Sequence, residues 1–174
     1  DPEAPFQLAW EYETRYRRDR RGHVEVRELF VMPQVRDVPV FPEREVGIGD
    51  SWKAAALEVH DLRPAYGIED TLRIPVEVEY EFLGVDRSGE NPVPRLSAYY
   101  EFDETLRRYE GASLQPVRMR GFADQVIYWD LLRGRPMRYE ESYRFRLELS
   151  DGRQFEFRGT ANGEVVVSES LDRE

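Results

Sequence analysis

The sequence predicts an all-β protein: a curved antiparallel meander or half-barrel with a proline-rich wrapping segment and little helix. Three observations predict it. Apolar and polar residues alternate with period two through most of the chain, the pattern of strands whose two faces differ. Glycine-bearing turns separate the alternating runs. Aromatic residues reach 13%, with ten Tyr and nine Phe, and such rings pack well against cross-strand neighbours.

The first run places Trp10, Tyr12, Thr14 and Tyr16 on one face and Glu11, Glu13, Arg15 and Arg17 on the other. Asp19-Arg20-Arg21-Gly22 reads as a hairpin turn, and Val24 and Val26 open the return strand. The apolar parity blurs through Leu29, Phe30, Val31 and Met32, which predicts a bulge near Arg27-Glu28 or burial on both faces. Pro33, Pro39 and Pro42 then punctuate residues 33–50. Proline cannot donate to a ladder, so this stretch is a connection or an edge. Residues 53–60, Lys-Ala-Ala-Ala-Leu-Glu-Val-His, are the one candidate for a short helix, with Asp50 or Ser51 as its cap; a strand is the alternative. Trp52, after two glycines and the Asp-Ser pair, is expected to insert into the core and anchor this region.

From Leu72 the alternation is cleanest, through Ile74, Val76, Val78, Tyr80 and Phe82. Residues 86–90 turn the chain, and Leu96, Ala98, Tyr100 and Phe102 return. Residues 104–116 read as a loop. Three strands follow near 117–131, 136–149 and 153–168, with turns at 133–135, 150–153 and 161–164. Strands of about 10–14 residues exceed the usual length of about five or six and suit a strongly curved sheet. The chain is read as one domain over 1–174, with 33–66 as a wrapping segment.

The bulk composition excludes several function classes. A net charge of −10 repels phosphate backbones, so nucleic acid is not an expected partner. The absence of cysteine excludes disulfides, thiolate nucleophiles and thiolate-bound metal. No apolar run approaches the ~18 residues that span a bilayer as a helix. No glycine-rich phosphate loop is present. The start, Asp1-Pro2-Glu3-Ala4-Pro5, reads as the trimmed end of a mature chain or as a boundary set within a longer one.

Gly49-Asp50-Ser51 resembles the nucleophile block of a lipase and esterase family, in which the base lies near the C-terminus in an Asp-x-x-His pattern. Here the histidines are His23 and His60, and none follows residue 60, so Ser51 lacks that base. A hydrolase using Ser51 is therefore the least favoured function. The two histidines show no metal-ligand spacing, and His60-Asp61 reads as a local hydrogen-bonded pair ending an element. Neighbouring acids such as Asp103-Glu104 and Glu140-Glu141 read as solvated strand faces. Arg15, Arg17, Arg18, Arg20 and Arg21 form a basic hairpin tip that suits an anionic polymer or headgroup, or simply a solvated turn. No catalytic residue, metal site or cofactor is expected.

The remaining candidate is the dry sheet face, with Tyr80, Phe82, Tyr100, Phe102, Tyr143 and Phe145 as ligand-contact residues and Phe155 and Phe157 in the same alternation. That face is either filled core, covered by residues 33–66, or the wall of a cavity for an apolar ligand.

Several segments together resemble a region of spirochaete envelope proteins of the OmpA family. They are Met32-Pro33-Gln34-Val35-Arg36-Asp37-Val38-Pro39-Val40-Phe41-Pro42, Val46-Gly47-Ile48-Gly49-Asp50-Ser51-Trp52, Glu58-Val59-His60-Asp61-Leu62-Arg63, Gly67-Ile68-Glu69 and Arg73-Ile74-Pro75. Val117-Arg118-Met119-Arg120-Gly121 and Asp124-Gln125-Val126-Ile127-Tyr128-Trp129-Asp130 are compatible with it. In that family a strand-rich N-terminal region precedes a C-terminal OmpA-like domain. The resemblance implies a periplasmic or outer-membrane-associated location and no enzymatic activity. Peptidoglycan binding belongs to the C-terminal domain, which this chain is not expected to contain, so no such residue is carried over. The expected function is a non-catalytic envelope module for spacing or for protein or glycan contact, linked in the full-length protein to an OmpA-like domain. The alternative is a carrier of a lipid-like ligand in the curved sheet.

Overall fold

The computed structural model describes residues 14–88, 91–108 and 114–165. Seven strands form one antiparallel sheet in sequence order: β3 (Val35–Arg36), β4 (Ser51–His60), β5 (Leu72–Asp86), β6 (Val93–Thr105), β7 (Pro116–Asp130), β8 (Arg135–Leu149) and β9 (Gln154–Glu164). A separate hairpin, β1 (Tyr16–Arg18) and β2 (Val24–Val26), precedes it. The only helix among the described residues is the single turn α1 (Arg63–Tyr66). No helix there is long and apolar enough to cross a membrane.

The all-β reading holds, and the sheet curls into a half-barrel. The curl can be measured. β4 and β8 stand four places apart in the strand order, which in a flat sheet is roughly 19 Å at about 4.8 Å per place. Yet His60 on β4 and Phe145 on β8 meet edge to face, with ring centroids 5.9 Å apart. Small inward residues permit this bend, among them Ala54 and Ala56 on β4, Ala98 on β6, and Gly121 and Ala123 on β7. Register shifts at Phe82/Gly84 and Tyr128/Trp129 add local twist.

The packed interior lies on the concave face and is formed by Ile74, Val76, Val78, Tyr80, Tyr100, Phe102 and their neighbours, all buried. Residues 37–41 cross one part of it as a strap, while residues 35–36 and 51–60 of the expected 33–66 cover are strands of the sheet itself. Phe41 meets the Trp129 ring edge-on at 5.2 Å, and the Arg18 guanidinium lies 5.7 Å above the same ring. Arg18 donates to the carbonyls of Gly22 and Val38. The Tyr80 hydroxyl donates to the Asp37 carbonyl at 3.3 Å. Gly22 has φ +98°, and a Cβ there would sit 1.8 Å from the Pro39 carbonyl oxygen, so only glycine lets hairpin and strap approach this closely.

Trp52 is half-buried rather than fully inserted. Its ring stacks on Tyr80 at 5.3 Å, and its Nε1 donates to the Val40 carbonyl at 2.7 Å. Trp52→Ala is therefore expected to cost about 3 kcal/mol, near the lower end for tryptophan truncation, in a denaturant titration.

Several local expectations are corrected. Residues 53–60 are strand: the alanine run favours helix, but ten register partners on β5 outweigh that weak local preference. Asp50 caps no helix; its carboxylate accepts from the Gly47 amide at 2.9 Å and from Arg44 at 3.0 Å. Near Arg27-Glu28 the chain makes a turn, closed by the Phe30 amide donating to the Arg27 carbonyl, rather than a bulge. Residues 161–164 are not a turn but the end of β9. Gly163 stays extended because Tyr139 of β8 lies over it, and a Cβ there would come within 2.2 Å of that ring. The ends of the expected 104–116 loop are strand, as β6 runs to Thr105 and β7 starts at Pro116. Trp10 and Tyr12 lie outside the described residues.

Charge ladders occupy the convex face. Glu156 on β9 accepts from Arg144 at 2.8 Å and Arg146 at 3.0 Å on β8. These two guanidinium bonds hold the Glu156 pKa at about 2, down from 4.5. A lowered folded pKa means that the contribution of this clamp is present above about 4.5 and disappears as pH falls through about 2. An NMR titration of Glu156 should read about 2; a value near 4.5 would show that the clamp is absent in solution.

Candidate functional site

The concave face is a grid of direct cross-strand partners. One row runs Tyr100, Ala123, Tyr143, Gly159, and the next runs Phe102, Gly121, Phe145, Phe157. Large residues alternate with small ones along the first row and from Phe102 to Phe145 in the second, so a ring there lies over the small residue of the neighbouring strand, while Phe145 and Phe157 place two rings side by side. Phe145 covers Gly121 and Tyr143 covers Gly159. Phe145 stacks on Phe102 at 5.8 Å and on Tyr143 at 5.3 Å.

All six residues singled out in the sequence sit on this face, but not in one environment. Tyr80 and Tyr100 are each 1% exposed and Phe102 is buried: these are core. Phe82 is half-buried at the rim, beside the turn that carries Ile48. Tyr143 and Phe145 are half-buried and border the part the strap does not cover. Beyond them the face is open. Phe155 is 41% and Phe157 51% exposed at one end of β9, and Tyr139 and Met137 of β8 are exposed toward its other end, where Tyr139 faces Gly163. This open strip runs along β9, whose outer edge pairs with no described strand, whereas the opposite edge strand, β3, has two residues.

A polar group lies inside the curl that the sequence reading missed. Glu58 is 2% exposed, and its Oε1 lies 2.6 Å from His60 Nε2. Its Oε2 has no hydrogen-bond partner among the described residues, and the Tyr100 hydroxyl lies close to this carboxylate. Gln125 Nε2 donates to Glu141 Oε1 at 2.9 Å across the adjacent strand pair. Burial, then the nearby Glu58 and Glu141 carboxylates, push the Tyr100 hydroxyl far up, so it stays protonated. The signal for Glu58 was parity: as strand, residues 54, 56, 58 and 60 share the inward face. His60 is accordingly partnered by Glu58, while Asp61 accepts from Arg63 at 2.7 Å.

The other candidate constellations are not brought together. Ser51 is exposed at the outward-facing start of β4, whereas His60 points inward at its far end, nine residues and so about 30 Å along the strand. In Asp103-Glu104 and Glu140-Glu141 consecutive side chains leave opposite faces, and Asp103 is held by Arg118 at 2.6 Å. His23 is exposed on the hairpin. Among the described residues no group of three or more His, Asp or Glu side chains is placed to hold a metal ion. No family model, no curated protein and no solved structure matches the chain.

Proposed function

We propose that the chain is a non-catalytic contact module of a cell envelope, periplasmic or outer-membrane-associated, which binds a partner protein along β8 and β9. The observation that carries this reading is the uncovered part of the concave face: Phe155, Phe157, Tyr139 and Met137 are exposed beside an 11-residue edge strand. A free strand edge offers a row of unpaired amide and carbonyl groups to an added strand. The exposed rings supply the apolar contact that gives such an addition its affinity. The envelope location rests on the resemblance of residues 32–75 to OmpA-family proteins.

Replacing Phe155 and Phe157 together by serine tests the reading. Both rings are well exposed, so the folding free energy should move by no more than about 1 kcal/mol. The complex formed in the native envelope, followed as a size shift on gentle extraction, should be lost. An unchanged complex would refute the assignment.

The buried polar group favours a second reading. Aromatic rings beside the buried Tyr100 and Glu58 put apolar and polar groups on one face, a combination that suits a lipid-like ligand. An amphiphile found by mass spectrometry of the natively purified protein would put this reading first.

A further inference from the structure

The most exposed large apolar residue among those described is Leu132, at 93%, and its neighbour Leu131 is 69% exposed. Both sit on the β7–β8 turn. The turn is fixed: the Asp130 carboxylate accepts from the amides of Leu132 and Arg133, each at 3.0 Å, and the Asp130 carbonyl accepts from Gly134. The two leucines are therefore held outward on a rigid tip instead of folding back onto the sheet. The β1–β2 turn lies alongside, so that Leu131 and Leu132 share one groove with Arg18, Arg20, Phe41 and Trp129.

The charge at this tip opposes that of the chain. The groove is lined by Arg18, Arg20 and Arg133, with Asp19 as its one acidic residue among those described, on a chain of net charge −10. Arg133 pairs with Asp130 at 3.1 Å and Arg21 with Glu43 at 2.7 Å. The Asp19 carboxylate is taken by the amides of Arg21 and His23. Arg20 is exposed, and neither it nor Arg135 enters an ion pair among the described residues.

The geometry points to this tip as a docking site for an anionic bilayer surface, with Leu131 and Leu132 entering the headgroup–acyl boundary and Arg20 and Arg135 meeting lipid phosphates. A convex pair of leucines ringed by arginine fits a soft interface that closes around it, where a protein partner would have to supply a matching pocket. The negative charge of the remaining chain favours the orientation in which this end meets an anionic surface.

Flotation with vesicles tests the site. The chain should float with phosphatidylglycerol-rich vesicles at low salt and be released as salt rises. Leu131→Ser with Leu132→Ser should lower the partition by at least about ten-fold, because each leucine contributes several buried methylene equivalents. Arg20→Glu with Arg135→Glu should abolish the preference for phosphatidylglycerol over phosphatidylcholine vesicles. Circular dichroism should match the parent in both variants, as no substituted residue is core. Absence of flotation by the parent chain, or equal flotation by the leucine variant, would overturn the proposal. So would self-association in sedimentation velocity that the leucine substitutions remove, since that would make the occupant a second copy of the chain.

Discussion

Tyr80→Ala is expected to lower the folding free energy by about 4 kcal/mol, within the range of about 3–5 kcal/mol for removing a large buried ring. Tyr80 is 1% exposed, stacks under Trp52 and reaches the strap through the Asp37 carbonyl. It is thus the residue at which sheet and cover meet. Tyr80→Phe separates the two contributions: it keeps the ring and deletes one hydrogen bond of 3.3 Å, with an expected cost of about 1 kcal/mol. Equilibrium unfolding in denaturant checks both. A small effect of the alanine variant would mean that the strap does not dock on the sheet as described.

A second large effect is expected at Gly121. A Cβ there would lie 2.4 Å from the Phe145 ring, 2.5 Å from the Arg144 carbonyl oxygen and 3.0 Å from the Phe145 Cα, and two of these neighbours are backbone. Gly121→Val therefore cannot be absorbed by moving one side chain. Strand propensity alone favours valine, so a survey of local preference predicts stabilisation. The close approach predicts a loss of about 3 kcal/mol instead, at the upper end of overpacking costs. The same substitution should weaken the Phe145 contacts with Phe102 and His60, which NMR ring-current shifts on His60 would report.

These residues show how far the sequence could be read. The alternation over Leu72–Phe82 and over residues 137–149 was legible because on those strands one face is wetter than the other, and period two records that difference directly. The proline-punctuated segment was legible as an edge or connection because proline removes the donors a central strand needs. Covering, in contrast, is not a local property. Tyr100 and Phe157 carry the same alternation signal, yet one is 1% and the other 51% exposed. Which of them is covered depends on where the curl places β4 and the strap relative to β8 and β9, and that is set by contacts far apart in sequence. Glu58 was hidden for a related reason, since its inward position follows only once residues 51–60 are strand. The Asn162-Gly163 pair carries a hairpin signature, but this glycine is required beneath a tyrosine ring and not for a turn.

The central claim, that the open half of the concave face is where the protein makes contact, is tested most directly by site-specific photocrosslinking in the native host. A benzophenone amino acid placed at residue 157 on the open strip should give a discrete adduct. The same group at residue 79 or 81, on the convex face of β5, should give none. A protein adduct from residue 157 alone is the predicted result. Equal adducts from both faces, or none from residue 157, would contradict the account.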